Sequence, residues 1–307
     1  MEPVNRATSA VSIAGRLERF AGTWEPTLAR EFFRYDRLLR TKSRRPACSW
    51  GQTGLEPYWK ELPLWLAERK GEWPGAVSTE FLNTVLWGQT SLFYAVRLQD
   101  DMLDGQFSRS PLALAPLLFL AEADRAYSSV IDSNAGFWKH YRLALETTVT
   151  GIVRVAAMQR DRTARADEML QVYGDVDAVF SAASCAVCER MGMPDTIPRV
   201  DEFVSEMGKV LLTLDDVEDI EEDLSDGRLN YPARILLGRR MAHAADLPLL
   251  ARNWRLEVHG RGFDEMRETL LGCLSRAADA VAPLGLQSAM HLIETTESAV
   301  QHIQEAS

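Results

Sequence analysis

At 307 residues, with 46% hydrophobic content and a net charge of −10, the chain is long enough for a sizeable core and too acidic to suit nucleic acid. Its longest apolar run, residues 111–121, is too short to span a bilayer, and the N-terminal segment lacks an uninterrupted signal-peptide core. A soluble, cytoplasmic protein without stable membrane insertion is expected.

Apolar positions recur with helical period nearly throughout, and alternating β-branched runs are few. The pattern predicts helices over residues 10–21, 25–41, 57–70, 78–104, 111–132, 135–163, 167–192, 200–225, 231–257, 264–281 and 286–305. Ser110-Pro111 supplies an N-cap followed by proline, and Asn134 and Asp201 are further candidate caps. Breaks are short, with no linker-like stretch and no shift in composition, so one all-α domain, a bundle of ten to eleven helices, is expected. The exception is the basic, turn-rich segment 42–56, where Lys42, Arg44 and Arg45 either contact phosphate or are simply solvated.

The four cysteines and five histidines point away from soft metals. Cys185 and Cys188 form a C-x-x-C inside a helix-like run, with no second pair at zinc spacing, which reads as core packing. The histidines make no metal-binding motif, and no glycine-rich phosphate loop is present. A metal would have to be held by oxygen.

Oxygen ligands are concentrated in two copies of Asp-Asp-x-x-Asp: Asp100, Asp101 and Asp104, then Asp215, Asp216 and Asp219. Each follows a long apolar stretch, so each is expected on a buried helix, where positions i and i+4 lie about 6 Å apart on one face. Two facing clusters would then bracket a cavity. Both copies run into Asp-Gly, at Gly105 and Gly227, the usual left-handed helix cap. Carboxylates at a helix C-terminus repel its dipole and one another, which calls for a bound cation. The competing reading is a solvated acidic helix end. Magnesium takes oxygen ligands in octahedral geometry and is usually shared between a few carboxylates and substrate phosphates.

With these residues in view, the chain resembles the class I isoprenoid synthases, and in particular their trans-prenyl diphosphate synthase branch. DDMLD, DDVEDIEEDLSDGRLNYP, the offset of 115 positions from Asp100 to Asp215 and the helical order carry the likeness across most of the chain. The resemblance implies an all-α barrel and a prenyl diphosphate substrate. It implies magnesium, three ions with substrate bound, on Asp100, Asp101, Asp104, Asp215, Asp216 and Asp219, and it implies a homodimer. Arg228 falls where the family has a diphosphate-binding lysine, and Arg109 and Tyr231 are further candidates for substrate contact. Trp87, Phe93 and Tyr94 would line the path of a carbocation, since cations are drawn to aromatic faces, unless they are ordinary core residues. Ala95 takes the position whose bulk limits chain length in the family. A small residue there suggests a deep pocket for a substrate of fifteen to twenty carbons, or else close helix packing.

Departures from the family pattern bear on the activity. The family's Gly-Gly-Lys-Arg-x-Arg-Pro has only Lys42-Ser43-Arg44-Arg45-Pro46 as its counterpart, and the arginine pair after the first motif is reduced to Arg109. Its Lys-Thr corresponds to Gly174-Asp175-Val176-Asp177, and its Phe-Gln to Leu211-Leu212. The groups that hold the acceptor's diphosphate are mostly missing, which favours a cyclase, a terpene synthase that releases diphosphate. Against this, the second motif is all acids, without the Asn/Ser/Glu triad of bacterial terpene synthases, which keeps a prenyltransferase open. An all-α nucleotide pyrophosphohydrolase is the remote alternative.

Overall fold

The computed structural model describes residues 6–42, 58–69, 77–103, 105, 110–237, 247, 251 and 261–303. Among them the regular structure is helical, without a strand. In chain order these are α1 (Arg6–Ala21), α2 (Pro26–Lys42), α3 (Tyr58–Glu68), α4 (Thr79–Leu103), α5 (Ala115–Ser128), α6 (Phe137–Arg160) and α7 (Ala166–Val176). There follow α8 (Ala182–Arg190), α9 (Ile197–Glu218), α10 (Ile220–Ser225), α11 (Tyr231–Leu237), α12 (Arg261–Val281) and α13 (Gln287–Gln301). Short 3-10 turns at Pro111–Leu114, Ala178–Ser181 and Pro194–Thr196 lead into α5, α8 and α9. No described helix is long and apolar enough to cross a membrane.

Several expected signals act as read. Ser110 sits in extended conformation, and its hydroxyl accepts the Leu112 N–H at 3.1 Å with Pro111 next in line. Gly105 and Gly227 both have positive φ, 82° and 78°. At Gly227 the N–H reaches the Leu224 carbonyl at 3.1 Å, and the next N–H, of Arg228, reaches that of Asp223 at 2.7 Å, a Schellman cap that stops α10. Other expectations are corrected. Asp201 lies inside α9 rather than capping it, and α6 starts at Phe137, behind a turn in which the Asp132 carboxylate accepts the Asn134 N–H at 2.8 Å. The single run 167–192 is interrupted because α7 ends at Val176 and the buried Asp177 packs on Gly208, where a Cβ would meet it at 2.9 Å. The run 231–257 is helical to Leu237 and then lies mostly outside the described residues.

By internal contacts the chain divides into two compact units, one holding α1 to α5, the start of α6 and α8, the other the rest of α6, α7 and α9 to α13. In the first, α4 is buried from Phe81 to Leu98 with few interruptions, the polar Thr84, Gln89, Thr90 and Ser91 included. It lies along α5, where a Cβ on Gly88 would meet the Tyr127 ring at 2.8 Å, so the close approach needs glycine. Phe119 of α5 anchors a ring cluster with Trp24, Phe32 and Tyr94, at centroid distances of 5.3, 5.1 and 5.0 Å. Gln89 of α4 accepts the Ala183 N–H at 3.0 Å and so caps α8.

In the second unit α7 and α9 approach closely. A Cβ on Gly174 would strike the Ser205 hydroxyl and Lys209 Cε, and this contact seats Tyr173 beside the acidic end of α9. Cys185 and Cys188 of α8, in the first unit, are fully buried and in no disulfide, in line with the packing reading, and so is Cys273 on α12 in the second.

Candidate functional site

The first acidic cluster closes the last turn of α4. Asp101 is 2% exposed, and its Oδ2 accepts the Tyr35 hydroxyl of α2 at 2.7 Å. Arg97, one turn earlier, lies 3.4 Å from Asp100 Oδ2 and 3.2 Å from Asp101 Oδ1, so one guanidinium spans both carboxylates. Asp101 Oδ1 accepts no hydrogen bond among the described residues. Burial and the neighbouring Asp101 carboxylate hold the Tyr35 phenol far above its ordinary value, so it acts as a fixed donor. Asp104 and Arg109 lie outside the described residues.

The second cluster straddles a bend. Helix α9 ends at Glu218, and Asp219, at φ −95° and ψ 5°, joins it to α10. The i to i−4 ladder survives the junction, with Asp219 N–H on Asp215 O at 3.1 Å and Asp223 N–H on Asp219 O at 2.9 Å. The single helix expected over 200–225 therefore becomes two, divided where Asp219 leaves helical conformation. Asp215 and Asp219 are exposed, whereas Asp216 is partly buried and accepts the hydroxyl of the buried Tyr173. Burial, then the nearby Asp223 carboxylate, raise the Asp216 carboxyl well above the usual range, against the Tyr173 hydrogen bond that lowers it.

The segment after the second motif folds back on it. Asn230 donates to Asp223 Oδ2 at 2.7 Å and to the Asp216 carbonyl at 3.0 Å, while its Oδ1 accepts the Ala233 N–H at 3.0 Å and caps α11. Arg228 pairs with Asp223 at 2.8 Å and with the exposed Asp226 at 3.3 Å. Tyr231 is buried, its N–H donates to the Tyr173 hydroxyl at 3.2 Å, and burial pushes its phenol up to about 12. Below it, Arg234 donates to the carbonyls of Leu229, Ala164, Met158 and Asp161 at 3.0, 2.7, 2.5 and 2.7 Å. That buried guanidinium ties α11 to the turn between α6 and α7.

The aromatic candidates sit in the first unit's core. Trp87 is 1% exposed and donates its indole N–H to Glu122 at 2.5 Å. Tyr94 donates to Asp36 at 2.5 Å and stacks on Phe119. Phe93 is partly buried and stacks on Trp59 at 4.9 Å, and Trp59 in turn stacks on Phe180 at 5.7 Å. Ala95, 7% exposed, belongs to the same apolar cluster as Trp87, Tyr94, Leu98 and Phe119. Sequence reading missed Tyr35, Arg97, Tyr173, Asn230 and Arg234. Two of these carried a local signal, Arg97 by its spacing from Asp100 and Asp101, and Asn230 as a cap before Tyr-Pro.

No family model and no curated protein matches the chain by sequence. Among solved structures it is similar to a geranylgeranyl pyrophosphate synthase from Corynebacterium glutamicum, with a TM-score of 0.65 and 16% identity over 96% of this chain and 92% of that one. The chain shares the all-α fold of that synthase.

Proposed function

We propose that the protein is a class I terpene synthase, a single all-α catalytic domain in which magnesium, bound at the Asp-Asp-x-x-Asp motifs, ionises a linear prenyl diphosphate of fifteen to twenty carbons. The observation that carries this reading is the pair of Asp-Asp-x-x-Asp clusters on an isoprenoid synthase fold. The donor set suits the metal. It is all oxygen, Asp101 keeps an oxygen that accepts no hydrogen bond among the described residues, and Asp216 stands among carboxylates whose repulsion a divalent ion would relieve. When bound, magnesium would neutralise the charge that develops on the departing diphosphate.

The chain's own residues would do the rest. Tyr35 and Tyr173 hold one oxygen each of Asp101 and Asp216, which fixes the rotamers of those ligands. Arg228 would exchange Asp223 or Asp226 for a diphosphate oxygen, and Arg109 is the second candidate for that contact. Phe93, Trp59 and Phe180 offer faces suited to a cation. A homodimer is proposed on the resemblance alone, and a cytoplasmic location on the reading of the sequence.

A prenyltransferase is the second reading, favoured by the all-acid second motif and by the activity named for the Corynebacterium protein. Incubation with magnesium and geranyl, farnesyl and geranylgeranyl diphosphates, with and without isopentenyl diphosphate, separates the two. The proposal expects hydrocarbon products that do not depend on the acceptor. A longer diphosphate formed only with isopentenyl diphosphate would move the protein to the second reading.

Two substitutions probe the layout. Asp219→Ala is expected to lower turnover far more than Asp226→Ala, because Asp226 is exposed at the cap of α10 and is outside the proposed ligand set. Equal losses, compared by kcat, would misplace the metal site along this segment. Ala95→Phe distinguishes a pocket floor from helix packing. Its place in the core cluster supports packing, for which an added ring is expected to destabilise by about 1–3 kcal/mol, seen as an earlier thermal melt with chain-length preference unchanged. A melt like wild type with a shift toward shorter diphosphates would make Ala95 part of the substrate tunnel.

A further inference from the structure

We infer that Arg97 is the resident counter-ion of the first acidic cluster, which a divalent cation must displace, so that this side chain weakens metal binding until the diphosphate arrives. The inference rests on the metal reading above and concerns how that site is regulated.

Arg97 precedes Asp100 and Asp101 by three and four residues on α4, so helix geometry alone brings its guanidinium over both carboxylates. The two ion pairs use different nitrogens, Nη1 toward Asp100 and Nη2 toward Asp101. Asp101 is the buried partner, with a side chain 3% exposed, and its other oxygen already accepts the Tyr35 hydroxyl. The oxygen left for a metal is Oδ1, the one that Arg97 faces. An ion bound there would meet the guanidinium charge at close range, where like charges repel strongly outside bulk water.

Displacement is feasible because the cation is the movable member. The Arg97 side chain is 32% exposed on a flexible stem, whereas Asp101 is held in place by burial and Tyr35. Once turned away, the guanidinium stays tethered within reach of whatever the metal binds. Its planar fork suits phosphate oxygens as well as carboxylates. Metal alone therefore competes with Arg97, while metal bound together with diphosphate offers Arg97 a new partner. The first cluster is thus biased against binding a metal without its substrate.

Manganese serves as the probe, titrated alone into the full-length protein and followed by the paramagnetic resonance signal of the free ion. Arg97→Gln is expected to bind manganese about 3- to 10-fold more tightly than wild type, the range for losing one partly exposed competitor. Arg97→Lys, which keeps the charge, is expected to bind close to wild type. Thermal melts of the metal-free proteins check folding, and manganese should raise the melting temperature more for Arg97→Gln than for wild type. Equal or weaker binding by Arg97→Gln, or no binding by any variant, overturns the inference. Magnesium-dependent diphosphate release by the wild type, assayed separately, tells the two failures apart. If it persists, only the role of Arg97 is lost; if it is absent, the metal reading falls as well.

Discussion

Asp216→Asn is expected to reduce turnover by at least about 100-fold, the upper range for groups that only support a metal ligand, while making the metal-free protein more stable at neutral pH. The carboxyl of Asp216 is raised above its ordinary value by burial and then by Asp223, with Asp215 and Asp219 adding to the effect. For a raised carboxyl the favourable contribution is complete below the unfolded value, near pH 4, and is lost as pH rises through the folded one. Metal-free protein should therefore lose stability as pH climbs above the usual carboxylate range. An amide, which stays neutral and still accepts the Tyr173 hydroxyl, should flatten that slope. Asp101→Asn is expected to lose comparable activity with the helical spectrum unchanged. Melting curves of the metal-free proteins between pH 4 and 8, beside turnover with saturating magnesium, check both halves. Near-wild-type turnover of either variant would remove its cluster from the mechanism.

Arg234→Met is expected to have the largest effect on stability. The guanidinium is buried and satisfies four carbonyls, those of Leu229, Ala164, Met158 and Asp161, which no apolar side chain of similar length can do. Each buried acceptor left unmet costs about 1–3 kcal/mol, so even partial access of water leaves a loss of roughly 3 kcal/mol or more. In a chain of this size that corresponds to a fall in Tm of about 5 °C or more. Because Arg234 also anchors the segment that carries Arg228 and Asn230, the variant should bind metal more weakly at temperatures where it is still folded. A Tm within about 2 °C of wild type would show that the carbonyls find other donors and that α11 does not depend on this anchor.

How much of this was readable in advance follows from the range of each interaction. Local signals were legible: the helical period, the Ser110-Pro111 start and the Asp-Gly stops that become left-handed caps at Gly105 and Gly227. The first acidic motif stands in the last turn of α4, as its position before glycine required, whereas the second ends α9 at a bend well short of its glycine. The partners that fix the carboxylates were not legible, because Tyr35 reaches Asp101 across 66 residues and Tyr173 reaches Asp216 across 43, and no periodicity reports such pairs. The bend at Asp219 escaped for a different reason. The backbone ladder persists through it, so the pattern reads as one helix although Asp219 leaves helical conformation. In sequence, nothing sets Asp223 apart from the acids around it. It is buried because the cap at Gly227 turns Arg228 and Asn230 back over it.

The most direct test of the central claim is an acceptor-free assay in which farnesyl and geranylgeranyl diphosphates are supplied singly with magnesium, and released inorganic diphosphate is counted against organic product. The proposed function predicts magnesium-dependent release matched one for one by cyclised or otherwise acceptor-free terpene, lost on chelation and in Asp101→Asn. Release that requires isopentenyl diphosphate, or no release from either substrate, would contradict it.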